Sequence, residues 1–98
     1  MKVIINSVHF KTDQKLENFI TNKIEKLAKK HDDIIGSDVT LKLENTDSPE
    51  NKITEIRVNM KGNDLYASKQ SKSFEEATDQ AIDALKKQLE KKKGKYTH

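Results

Sequence analysis

Lys23, Lys26 and Lys30 are spaced three and four residues apart, and Lys87 and Lys91 four apart. On a helix such spacings put each set along one flank. The second row continues through Lys92, Lys93 and Lys95, and from Lys86 to His98 six lysines stand against one acid, Glu90. Rows of flexible point charges suit the phosphates of a nucleic-acid backbone, which they neutralise with release of counterions and without reading base sequence. With 18 lysines and a single arginine, Arg57, the surface favours phosphate tracking over bidentate contact with bases. A solvated helix end whose lysines complement the helix dipole would use the same residues.

Other chemistries find little support. His9, His31 and His98 fall at a strand end, a helix end and the terminus, and none has a ligating partner four residues on or a Ser or Cys in a nucleophile pattern. They are expected to be ordinary surface residues. The carboxylates alternate with lysines along helices, where i,i+4 pairing is their usual role. Three glycines form no phosphate-cradling loop. Asp32, Asp33 and Asp38 could meet around a metal ion but more simply terminate a helix. No enzyme activity, metal or cofactor is therefore expected. The absence of cysteine excludes disulfide and thiolate chemistry. No apolar run approaches the roughly 20 residues that span a bilayer, and Met1 to Phe10 lacks the pattern of a secretory signal. The expected compartment is the cytoplasm.

The elements that must position these lysines can be read from periodicity. The chain has 98 residues, enough for one modest core, with 33% hydrophobic and 36% charged residues, a formal charge of +3 and a pI near 9.0. Lys2 to Val8 reads as a strand with Val3 and Ile5 on one face. Leu16, Phe19, Ile20, Ile24 and Leu27 recur at helical spacing, giving a helix from about Asp13 to His31, closed by Asp32, Asp33 and Gly36. Val39, Leu41 and Leu43 alternate with polar residues, as do Ile56, Val58 and Met60, and each set reads as a half-buried strand. Asn45 to Asn51 is a turn, and Gly62-Asn63-Asp64 a tight hairpin before a strand in which Leu65 and Ala67 face in and Tyr66 and Ser68 out. Ser73 and Glu76 form a capping box. The second helix, with Phe74, Ala77, Ala81, Ile82, Leu85 and Leu89 as its stripe, is expected to reach about Lys93 and stop at Gly94.

The order β-α-β-β-β-α predicts an α+β domain: a four-stranded mixed sheet, with a parallel first pair joined through a helix, and two helices packed on one face. Residues 1–95 are expected to form the single domain and 96–98 a short tail. If the helices lie side by side, the two lysine rows would border one groove. The aromatics, Phe10, Phe19, Tyr66, Phe74 and Tyr96, are too few to make the sheet a base-stacking platform, so the helices are the expected binding elements.

The segments Asp64-Leu65-Tyr66-Ala67-Ser68, Ala77-Thr78-Asp79 and Ile82-Asp83-Ala84-Leu85-Lys86-Lys87-Gln88-Leu89, with the tail Lys91-Lys92-Lys93-Gly94-Lys95, resemble the ribosome hibernation-promoting factor family. This family includes ribosome-associated inhibitor A and is often labelled sigma-54 modulation protein. Leu16, Phe19, Lys23, Lys26 and Leu27 fall where it has its first helix. The resemblance implies a fold like that of double-stranded-RNA-binding domains with an added first strand. It implies a place in the messenger and transfer RNA channel of the small ribosomal subunit, and arrest of translation in stationary or stressed cells. On its terms Lys23, Lys26, Lys87, Lys91 and Lys95 would touch ribosomal RNA phosphates. Departures are Ala84, where relatives often carry lysine and Lys86 would substitute, and Glu75, where they often carry tyrosine. Gly94 is a third, expected to end the second helix early. The chain resembles the short forms, which would need a separate protein to pair ribosomes. A regulatory protein-interaction module without ribosome binding is the alternative; ordinary duplex-RNA binding is disfavoured by the acidic pair Glu75-Glu76, and membrane-surface binding by the core's need for the second helix's stripe.

Overall fold

The structure is a computed structural model that describes the backbone of residues 1–96 and the side chains of residues 1–91. Its elements are β1 (Lys2–Ser7), α1 (Gln14–Lys29), β2 (Ile34–Leu43), β3 (Lys52–Met60), β4 (Leu65–Ser71) and α2 (Phe74–Tyr96). The sheet order is β1-β2-β3-β4, with β1 parallel to β2 and the other pairs antiparallel. Both helices pack on the face that carries Val39, Leu41, Ile56, Val58 and Ala67, and one hydrophobic cluster lies between the layers. This is the α+β architecture that the periodicities predict.

The helices begin where their caps do. Asp13 Oδ1 accepts from the Leu16 N–H at 2.7 Å, and Ser73 Oγ from the Glu76 N–H at 3.1 Å. Each bond satisfies one of the donors that a helix start leaves open. Leu16, Ile20, Ile24 and Leu27 bury one stripe of α1, and Ala77, Ala81, Ile82, Leu85 and Leu89 one stripe of α2. These stripes fix the rotation of each helix about its axis, and hence where the described lysines point. Phe10, in the loop before α1, stacks on Phe74 at the start of α2, with ring centroids 5.1 Å apart.

Three expectations are corrected. Gly36 does not close α1; it lies inside β2. The pairing passes from Ile34↔Met60 to Gly36↔Asn59, so Ile35 is an extra residue on β2. Such a bulge shifts the alternation by one, which is how Ile34 and Ser37 both face the core while Ile35 is 56% exposed. A β-carbon on Gly36 would stand 3.0 Å from the Lys2 carbonyl oxygen. Secondly, Leu43 shares the inward parity of Val39 and Leu41 but is exposed, because the strand outruns the helical layer at its last residue. Thirdly, α2 does not stop at Gly94 but runs to Tyr96. Glycine inside a helix costs about 1 kcal/mol relative to alanine, which weakens a last turn without ending it.

The core also holds Thr54, Thr78, Ser37 and Ser71. The Thr54 and Thr78 hydroxyls lie 3.3 Å apart, and Ser37 Oγ donates to the Arg57 carbonyl at 2.9 Å. Among the described residues no buried side-chain polar atom lacks a partner, as burial of polar groups requires.

Candidate nucleic-acid interface

The rotation of α1 leaves Lys26 and Lys30 exposed and turns Lys23 toward α2. Lys23 Nζ sits 3.0 Å from Asp79 Oδ1 and 5.4 Å from the centre of the Phe19 ring. Beyond this contact the helices enclose a groove of about 530 Å³, lined from α1 by Lys23, Lys26 and Lys29, from its C-cap by Lys30, and from α2 by Asp79, Asp83 and Lys86, with Leu27 and Ile82 at its floor.

Lys87 and Lys91 are elsewhere. With Gln80, Ala84 and Gln88 they face β4 and Lys69 across a second depression of about 480 Å³. Gln88 Nε2 donates to the Tyr66 carbonyl at 2.9 Å and ties this flank of α2 to the strand. The two lysine rows therefore do not border one groove. Successive helix positions diverge by about 100°, and burial of Ile82, Leu85 and Leu89 sends Lys86 toward α1 and Lys87 toward β4. Of the second-helix lysines, it is Lys86 that joins the α1 row. The side chains of Lys92, Lys93 and Lys95, also expected to bind RNA, lie outside the described residues.

Charge on the two faces of the molecule is arranged differently. On the open face of the sheet, Lys42 pairs with Glu55 at 3.2 Å and Arg57 with Asp64 at 3.7 Å, and the Arg57 guanidinium lies 5.8 Å from the centre of the Tyr66 ring. On the helical face, among the described residues, only Lys23 is in an ion pair. Lys26, Lys30, Lys69, Lys86, Lys87 and Lys91 are exposed and make none. Unpaired lysines in concave surfaces bring positive potential to bear on an anion that enters.

Sequence reasoning passed over Lys69 and Lys29. The signal for Lys69 was its parity. It stands two residues after Ala67, on the side of β4 that the helices cover, where a lysine must extend past α2 to reach water. Lys29 is adjacent to Lys30 and reaches the same groove. His9 is exposed and His31 half-buried, and no group of three or more metal-ligating side chains occurs among the described residues. No helix among them is long and apolar enough to cross a membrane.

Comparison with known proteins agrees with this fold. Residues 3–97 match the model of the family described as sigma 54 modulation protein / S30EA ribosomal protein. No curated protein matches the chain by sequence. Among solved structures, a ribosomal subunit interface protein from Coxiella burnetii superposes with a TM-score of 0.83 at 18% identity, covering 96% of this chain and 99% of that one. The Protein Y N-terminal domain of Thermus thermophilus gives 0.79 at 18% identity, covering 93% of this chain and 98% of that one. At that identity the two structures speak to the fold, while the family model accounts for nearly the whole length: the chain belongs to the sigma 54 modulation protein / S30EA ribosomal protein family, to which the hibernation-promoting factors belong.

Proposed function

We propose that this protein is a ribosome hibernation factor of the cytoplasm. It binds small-subunit ribosomal RNA in the channel of messenger and transfer RNA through its helical face, and so holds translation off in stationary or stressed cells. The observation that carries the reading is the contrast between the faces: Lys42 and Arg57 on the open sheet face are paired with carboxylates, whereas Lys26, Lys30, Lys86, Lys87 and Lys91 on the helical face are exposed and in no ion pair among the described residues. Family membership and the ribosomal name of the Coxiella burnetii neighbour favour ribosomal RNA as that partner.

The mechanism is occlusion, and it needs no catalytic group. Each lysine that meets a phosphate releases condensed counterions, so about five such contacts would give a slope near −4 in log affinity against log salt. Binding of this kind is strong at low salt, reversible, and insensitive to base sequence. A bound domain then excludes messenger and transfer RNA from the same surface by volume and charge.

The rival reading, a protein-interaction module, needs an exposed apolar patch. Ile4 and Tyr66 are exposed on the open sheet face, but the register Ile4↔Asp38, Asp38↔Arg57, Arg57↔Tyr66 puts two charged residues between them. Competition on purified small subunits tests occlusion. Added protein should release bound messenger and transfer RNA in proportion to its own uptake, and the Lys87→Ala/Lys91→Ala variant should do so only at much higher concentration. Uptake without release would refute occlusion.

A further inference from the structure

The crest of α2, between its two basic flanks, is acidic. Glu76, Asp83 and Glu90 are exposed and seven residues apart. Seven residues are close to two helical turns, so these three carboxylates run in one line along the helix with only slight drift. To one side of that line lies Lys86, facing the groove shared with α1; to the other lie Lys87 and Lys91, facing Lys69 on β4. Asp83 borders both depressions. A single phosphate backbone passing from one depression to the other would cross this carboxylate line, where like charges repel it.

We propose that α2 is a ridge seated between two separate stretches of RNA backbone. One is held in the interhelical groove by Lys26, Lys30 and Lys86, and the other on the β4 flank by Lys69, Lys87 and Lys91. This rests on the reading that the helical face binds ribosomal RNA, and adds the form of RNA it takes. The two backbones must face each other about one helix diameter apart, on the order of 10 Å. That is a folded RNA with a shallow groove or junction, and not a lone single strand. The structure assigns Lys69 a place in the outer lane equal to that of Lys87 and Lys91. All six lysines are exposed, so each can be changed with little risk to the fold.

The test is hydroxyl-radical protection of small-subunit RNA by the full chain and by two triple variants, K26Q/K30Q/K86Q and K69Q/K87Q/K91Q. Each variant is checked for folding by circular dichroism and used at low salt and at saturating protein. The unaltered protein should protect two distinct stretches of backbone. Each variant should lose protection at one stretch and keep the other, and should lower the salt slope by about 2 to 3. Loss of the same nucleotides by both variants, or one continuous protected stretch, would overturn the two-lane arrangement while leaving RNA binding in place. Failure of the unaltered protein to bind small subunits at all would overturn the reading beneath it. Unchanged protection by the Lys69 triple variant would remove the outer lane.

Discussion

Lys23 and Lys26 are one turn apart on α1 and meet different surroundings. Lys23 is held by Asp79 at 3.0 Å, whereas Lys26 is exposed and unpaired among the described residues. The Lys23 and Asp79 side chains are 38% and 51% exposed, so solvent screening keeps the pair to a few tenths of a kcal/mol. Because the Asp79 carboxylate offsets the charge of Lys23 locally, Lys26→Ala should weaken ribosome binding and lower its salt slope by about 1, and Lys23→Ala should change the slope less. Equal slopes for the two variants, measured by retention on ribosomes across a salt series, would show that the Asp79 contact breaks on binding. His9 offers a test of stability at the same scale. Its φ of 65° is the only positive value at a non-glycine residue among those described. Histidine tolerates that region at a cost, and glycine without one. His9→Gly should stabilise the fold by roughly 0.5–1 kcal/mol in urea denaturation, the relief of strain exceeding the added entropy of the unfolded chain. At this scale the lysine positions were legible from spacing; their pairing was not, because Asp79 lies 56 positions from Lys23 in the chain and meets it only through tertiary packing.

The elements most legible in the sequence are those with an undisturbed period and a chemical boundary. Asp13 and Ser73 cap the helices as their side chains predict, and the hairpin at Gly62 turns with a φ of 100° that glycine accepts readily. The Asp64 carboxylate steadies that hairpin by accepting from the Met60 N–H at 3.2 Å. β2 is longer than its alternation predicts because that alternation is broken. With Ile35 bulged out, Ile34 and Ser37 no longer fit one period of two, and Gly36 imitates a helix terminator. The structure gives Gly36 another purpose, the close approach of β1. Gly36→Ala would press a methyl group to 3.0 Å from the Lys2 carbonyl, and should destabilise the protein by about 1–2 kcal/mol. A urea midpoint unchanged from the parent would mean that the end of β1 yields freely. Gly94 shows the converse error, a helix breaker tolerated inside the last turn of α2.

For the whole molecule, the order β-α-β-β-β-α and the one-sided helical layer followed from the periodicities alone, since one small core leaves two amphipathic helices a single sheet face to cover. The lysine rows could be listed from the sequence but not placed. Whether Lys86 or Lys87 joins α1 depends on the rotation of α2, which is set by how Ile82, Leu85 and Leu89 fill the core. That rotation divides the basic surface into an interhelical groove and a β4 flank, while on the open sheet face Lys42 and Arg57 are paired with carboxylates. The central claim of the proposed function is that the helical face binds the ribosome through RNA phosphates. The most direct test is sedimentation of the purified protein with ribosomes and separated subunits through sucrose gradients at low and high salt. The account predicts co-sedimentation with small subunits and whole ribosomes at low salt, loss at high salt, and weak retention of a variant with Lys26, Lys30, Lys87 and Lys91 changed to alanine. Protein left at the top of the gradient at both salts, or retention of that variant equal to the parent's, would contradict it.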